Sequence, residues 1–169
     1  MSQHFQLKKE VSIAVLTVSD TRTETTDKGG ALVRKLAAEA GFTVKESAIV
    51  ADDLSAIQEQ VSRWLSREDV DAIITTGGTG IAKRDVTLEA VRPLYEKEID
   101  GFGELFRYLS FTEDVGTRAL LSRASAGVVG EKVIFALPGS TGAVKLAMNK
   151  LISLELEHIV YEITKHRME

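Results

Sequence analysis

The chain is expected to be an α/β protein: a single three-layer α/β/α domain around a mostly parallel central sheet. Three observations predict this. Val11 to Val18 is an almost unbroken apolar, β-branched run, the composition of a parallel strand covered on both faces. Strand patterns then alternate with segments of helical spacing, in the order strand-helix-strand-helix-strand as far as Thr75. No linker, repeat or low-complexity tract divides the 169 residues, a length sufficient for one sizeable core and short for two. The expected organisation is a flexible segment over 1–10, one domain over 11–165 and a tail over 166–169.

The first strand ends at Ser19-Asp20-Thr21-Arg22, and a polar loop runs to Asp27. Helical spacing from Lys28 to Ala40 puts Leu32, Leu36 and Ala40 on one face, with Asp27 as N-cap and Gly41 as the stop. Phe42 to Val50 reads as a second strand leading into Ala51-Asp52-Asp53. Leu54 to Ser66 reads as a helix turning Ile57, Val61, Trp64 and Leu65 inward, capped by Asp53 or Ser55. Val70 to Thr75 is the third strand. Thr87 to Leu94 reads as a short helix closed near Pro93. Residues 99–121 look less regular and carry Phe102, Phe106, Tyr108 and Phe111, an interface candidate whose alternative is ordinary core packing. Two short strands, Ala124 to Val129 and Val133 to Leu137, join at Gly130-Glu131. A long last helix is expected from Ala143 to Ile163, with Val144, Met148, Leu151, Leu156, Ile159 and Ile163 on its apolar face.

Composition narrows the function classes. Apolar content of 44%, charged content of 27% and a net charge of -4 are ordinary for a soluble domain and give no support to general nucleic-acid binding. Cysteine is absent, which removes disulfides, thiolate nucleophiles and sulfur-ligated metals. Residues 1–10 carry no apolar run of a signal peptide, and no segment approaches a membrane span, so a cytoplasmic protein is expected. His4, His158 and His166 lie far apart, and His158 reads as helix surface.

The chemistry concentrates in Thr76-Gly77-Gly78-Thr79-Gly80, directly after the third strand, and in Lys83-Arg84-Asp85-Val86-Thr87 beyond it. Ligands of open α/β sheets bind beyond the carboxyl ends of the strands. Glycines there allow positive φ and close approach, and successive N–H groups with the Thr76 and Thr79 hydroxyls can form a phosphate nest. The alternative is a tight turn without a ligand, although three glycines in four positions exceed what a plain turn needs. The loop is not a P-loop, because Arg84 rather than a hydroxyl follows Lys83, and it lacks the dinucleotide fingerprint. Lys83 and Arg84 either neutralise phosphate or are solvated. Asp85 either helps hold Mg²⁺ or caps the next helix. Asp52, at the end of a neighbouring strand, shares the same alternatives. Pro138-Gly139-Ser140 is either an anion loop at a helix start or a capping turn. Ser19, Asp20 and Asp27 complete the rim without a role assignable by chemistry alone.

These residues resemble the MoaB and Mog type of molybdenum cofactor biosynthesis proteins, which are similar to the N-terminal domain of gephyrin. The resemblance runs from about Ile13 to the last helix. Its marks are Ser19-Asp20-Thr21-Arg22, Asp27-Lys28-Gly29, Asp52, Thr75-Thr76-Gly77-Gly78-Thr79-Gly80, Arg84-Asp85-Val86-Thr87, Gly101-Phe102-Gly103-Glu104 and Leu137-Pro138-Gly139-Ser140. It implies a molybdopterin-binding fold and a nucleotidyltransferase that, with Mg²⁺, adenylylates the terminal phosphate of molybdopterin from ATP. Asp52 and Asp85 would then serve catalysis and metal binding. Ser19, Asp20, Thr76, Gly77, Gly78, Thr79, Gly80, Arg84, Glu104, Pro138, Gly139 and Ser140 would form the binding rim. Ala51 and Leu88 stand where some relatives have proline, without loss of a functional group. A homotrimer or homohexamer is implied, with contact to the molybdenum-insertion protein and none to nucleic acid or membrane. The alternative function is a non-catalytic molybdopterin-binding or delivery protein.

Overall fold

Strand β1 (Ser12–Val18) is buried along its whole length and is the spine of the molecule, whose computed structural model describes residues 10–168. Apart from Glu10, the segment expected to be flexible lies outside those residues. Alternate residues of β1 serve opposite layers. Ile13 and Val15 pack into one core, and Ala14, Leu16 and Val18 into the other, the period-two division of a strand covered on both sides.

From β1 the chain passes through α1 (Lys28–Glu39) to β2 (Thr43–Val50), then through α2 (Leu54–Leu65) to β3 (Ala72–Thr76). Both β2 and β3 pair in parallel with β1. Beyond the glycine loop come α3 (Thr87–Val91), a 3-10 turn at Arg92–Leu94, the two-residue β4 (Lys97–Glu98) and α4 (Asp100–Glu113). A second 3-10 turn (Gly116–Leu121) leads to β5 (Ser125–Val129) and β6 (Lys132–Leu137). The six strands take the order β2-β1-β3-β6-β5-β4, with β6 parallel to β3 and β5 antiparallel to both β6 and β4. The expected three-layer arrangement with a mostly parallel sheet is what forms. One layer holds α1, α4 and the C-terminal helices, and the other holds α2 and α3. Among the described residues no helix is long and apolar enough to cross a membrane.

Local signals explain most boundaries. Asp27 caps α1 by accepting from the Gly30 N–H at 2.9 Å, and Gly41 at φ 92° ends it. Asp53, rather than Ser55, caps α2 through the Ala56 N–H at 2.9 Å. Trp64, Ile57 and Val61 are fully buried beneath that helix, while Leu65 is only half-buried.

Three expectations need correction. The buried stripe of α1 is Val33 and Ala37; Leu32 and Leu36 flank it, and Ala40 is exposed. Residues 100–113 form a regular 14-residue helix, hidden from a sequence reading by Gly101 and Gly103, both poor helix formers. Gly103 is needed there, since a Cβ would lie 2.9 Å from the Ala124 carbonyl oxygen. Phe102 and Phe106 on this helix are core, stacked at 6.2 Å between centroids, with Phe102 also edge-on to Phe135 at 5.1 Å. Of the four aromatics in this segment, Tyr108 and Phe111 are the exposed pair, beside exposed Leu105.

The last helix is also not uniform. α5 (Thr141–Ala147) opens into a π turn (Met148–Ile152) before α6 (Ser153–Thr164). The wide turn rotates the apolar stripe, so Met148, Ile152, Leu156 and Val160 are buried at steps of four. Leu151 and Ile159 lie at its margin, and Ile163 is half-buried outside it. Leu151 and Ile159 still pack against the core from that margin, so a strict 3.6 period misplaces Ile163 alone. After α6, residues 165–168 make a 3-10 turn in which His166 and Arg167 both reach Glu131, at 3.0 and 2.7 Å.

Candidate active site at the carboxyl edge of the sheet

The ends of β1, β3 and β6 lie side by side, and the loops that follow them build one rim. After β1, the Ser19 hydroxyl accepts from the Thr21 and Arg22 N–H groups at 3.2 and 3.1 Å, which folds the chain back on itself. The Asp20 N–H then donates to Asp52 Oδ2 at 3.1 Å, and the Asp52 N–H donates to Asp20 Oδ1 at 2.9 Å. Farther along, buried Asp27 accepts from the Thr17 hydroxyl at 2.6 Å, holding the start of α1 against β1. A Cβ on Gly29 would lie 2.9 Å from the Gly139 carbonyl oxygen, so the α1 terminus and the β6 loop are in close contact.

The glycine loop extends β3. The Gly77 N–H donates to the Leu137 carbonyl at 2.9 Å, continuing the pairing with β6. Gly77 and Gly78 then take φ of 96° and 72°, conformations open to glycine. A side chain on Gly77 would strike the Val18 carbonyl, and one on Gly78 the Thr87 hydroxyl. That hydroxyl donates to the Gly77 carbonyl at 2.8 Å, and the Thr87 N–H to the Gly78 carbonyl at 3.1 Å. The loop is therefore rigid on its inner side.

Gly78, Thr79, Gly80, Asp85, Pro138, Gly139 and Ser140 line one crevice of about 470 Å³, continued outward by Asp114 and Arg118. Thr76 is buried beneath the loop and does not line it; Thr79 is 3% exposed but does. The Ser140 hydroxyl accepts from the Ala143 N–H at 3.2 Å and so caps α5 while it stands on the crevice wall. Glu104 is elsewhere: it lines a separate cleft of about 140 Å³ with Arg107 and Ser125.

Asp85 Oδ2 accepts from the Ala82 N–H at 2.9 Å, which closes the exposed loop over residues 82–85. It does not cap α3, whose N-cap Val86 makes no side-chain hydrogen bond. The Asp52 carboxyl is pushed above the usual aspartate range, first by burial, then by the charge of Asp20 and further by that of Asp85. The Asp20 N–H and exposed Arg84 pull in the other direction. Arg84 and Asp85 thus act on Asp52 with opposite signs, Asp85 the more weakly.

Sequence reasoning missed Arg123. From two residues before β5, its Nε donates to the Gly80 carbonyl at 2.9 Å and its Nη2 to the Asp85 carbonyl at 3.1 Å. The same guanidinium makes a forked pair with Glu89 at 2.6 and 3.1 Å. Nothing in the local pattern around Arg123 announces this, because its partners are distant in sequence. A groove of about 560 Å³ at the opposite end of the sheet is less suited to a ligand, since its arginines are already paired: Arg67 with Glu46 and Asp69, and Arg167 with Glu131.

A mostly parallel α/β/α domain whose glycine-walled crevice opens at the carboxyl edge belongs to the class of α/β proteins built to hold a small ligand there. Residues 14–158 match the family described as a probable molybdopterin binding domain. A relative from Staphylococcus carnosus, molybdenum cofactor biosynthesis protein B, is 66% identical over 162 residues, covering 95% of each chain. A crystal structure of a molybdenum cofactor biosynthesis protein B superposes with a TM-score of 0.90 at 56% identity, covering 96% of this chain and 99% of that one. The tungsten cofactor synthesizing protein MoaB from Pyrococcus furiosus gives 0.83 at 36% identity, covering 93% and 99%. The chain belongs to the MoaB family of molybdenum cofactor biosynthesis proteins.

Proposed function

We propose that this chain transfers AMP from ATP to the terminal phosphate of molybdopterin, with Mg²⁺ held at Asp52 and Asp85. The observation that carries this reading is the position of Asp85: it stands on the wall of the glycine crevice, at the same carboxyl edge of the sheet where Asp20 and Asp52 exchange backbone N–H bonds. One edge of the sheet thereby offers backbone amides for phosphate and carboxylates for a hard cation.

In the reaction an oxygen of the molybdopterin phosphate bonds to the α-phosphorus of ATP. The bond from that phosphorus to the bridging oxygen breaks, and pyrophosphate leaves with the electron pair. Such a transfer needs alignment and charge neutralisation more than a protein nucleophile. Gly78 to Gly80, on a turn set by Gly77, and the Pro138-Gly139-Ser140 loop would hold the pterin phosphate, and Arg84 would balance charge near Asp52.

The residues fit a divalent cation. After burial, the charge of Asp20 and, least, that of Asp85 raise the Asp52 carboxyl, a repulsion that a cation would relieve. No group of three or more candidate ligands occurs among the described residues. Two carboxylates suit Mg²⁺, which keeps several waters and completes its shell with substrate phosphates. When bound, the ion would neutralise the polyphosphate.

The same family reading extends to a homotrimer or homohexamer, for which the outer face of α4, bearing Leu105, Tyr108 and Phe111, is the candidate contact. The decisive experiment incubates the protein with molybdopterin, ATP and Mg²⁺. Equimolar adenylyl-molybdopterin and pyrophosphate are expected. Molybdopterin binding without product would make the protein a carrier instead.

A further inference from the structure

The loop carrying Asp85 has little to hold it in place. Ile81, Ala82, Lys83 and Arg84 are exposed, Ile81 at 68%, so packing contributes little to their order. Within the loop, only the Asp85 N–H to Ala82 carbonyl bond at 3.0 Å and the Ala82 N–H to Asp85 carboxylate bond are made. Yet three carbonyls that bracket it, those of Thr79 and Gly80 before the loop and of Asp85 at its end, all accept from one residue. The Arg123 backbone N–H reaches Thr79 at 3.0 Å, and its guanidinium takes Gly80 and Asp85.

We infer that Arg123, aimed by Glu89, is the positioning residue that fixes the Asp85 loop for the reaction proposed above. A planar guanidinium presents donors in several fixed directions, so it can bridge both ends of the loop and still form a fork with a carboxylate. The Glu89 fork sets the plane of the group, and Glu89 is itself anchored on α3. The residue after Arg123 is held as well: Arg107 Nη1 donates to the Ala124 carbonyl at 2.8 Å. The chain from α4 to β5 therefore grips the loop after β3. A lysine would keep the charge but cannot reach both carbonyls and the carboxylate together.

This inference rests on Asp85 taking part in the reaction, and its test separates the two. Full-length wild type, Arg123→Lys and Glu89→Gln are compared by hydrogen exchange of the amides over residues 79–86, and by kcat, KM and the Mg²⁺ concentration for half-maximal turnover. Partners that orient a metal-binding group typically contribute about 10- to 100-fold in affinity or activity. Arg123→Lys is expected to exchange the two hydrogen-bonded loop amides, those of Ala82 and Asp85, about tenfold faster, with β3 and β6 unchanged. Its kcat should fall and its Mg²⁺ requirement rise within that 10- to 100-fold range, with KM for molybdopterin little altered. Glu89→Gln should move each quantity in the same direction by less, and it decides the matter if Arg123→Lys does not fold. Wild-type exchange over 79–86 in both variants, or recovery of wild-type kcat by the lysine, would overturn the inference. If the wild type itself yields no adenylyl-molybdopterin, the reaction assignment falls, and the exchange rates still decide whether Arg123 orders the loop.

Discussion

Asp20 and Asp52 each receive the other's backbone N–H, at 2.9 and 3.1 Å, across the ends of β1 and β2. The exchange locks two acids side by side at the rim. It also explains why they are not independent: the Asp20 charge raises the Asp52 pKa while the Asp20 N–H lowers it, and burial adds the largest upward push. The sign for activity follows. A raised pKa means that Asp52 loses its charge at a higher pH than the ordinary aspartate value of about 3.9. The acid limb of kcat/KM should therefore lie above that value. Asp20→Asn removes the like charge and keeps an oxygen for the Asp52 N–H, so it should move the limb to lower pH, as should added Mg²⁺. A limb that stays in place under both changes would remove Asp52 from the reaction.

Asp85→Asn should lower kcat on the order of 100-fold, the usual scale for losing one preorganised electrostatic group. The amide oxygen can still accept the Ala82 N–H that now goes to the carboxylate, so the loop should keep its shape. Turnover assays paired with thermal unfolding check this. Undiminished turnover, or a collapse in stability, would contradict the role given to this acid.

Gly78→Ala should destabilise the fold by more than Gly130→Ala. Both positions have positive φ, 72° and 59°, and forcing alanine there costs about 1–2 kcal/mol. Only at Gly78 does the added methyl also meet the Thr87 hydroxyl; at Gly130 the space is open. Urea midpoints of the two variants give the difference directly.

Tyr108→Ser combined with Phe111→Ser should convert the proposed oligomer to monomers without unfolding it, because both side chains are more than half exposed in the single chain. Sedimentation velocity together with circular dichroism reads the two effects separately. An unchanged assembly would move the contact off α4.

Much of this architecture could be read from the residues, and the exceptions share a cause. β1, α2 and the caps at Asp27 and Asp53 are specified locally, by apolar period or by a side chain reaching three residues ahead. The helix at 100–113 escaped notice because its two glycines are justified only by distant neighbours, Gly103 by the Ala124 carbonyl. The π turn at 148–152 shifts a stripe that the sequence presents with a steady period. The site divides similarly. The glycine loop, Asp85 and the 138–140 loop do meet at one crevice, whereas Glu104 stands apart and Thr76 is packed underneath. Arg123 could not be found without the fold, since its carbonyl partners lie in a loop far earlier in the chain.

The strand order has a consequence for biosynthesis. β3 lies between β1 and β6, yet β6 is the last strand to leave the ribosome. Until then the middle of the sheet has a bare flank, and the Leu137 carbonyl that receives the Gly77 N–H does not yet exist for the nascent chain. Such late, distant pairings slow folding and leave an unpaired edge open to other chains. The glycine loop should therefore be among the last parts to set. Translation arrested before β6 should release a product that clumps rather than one that is merely less active.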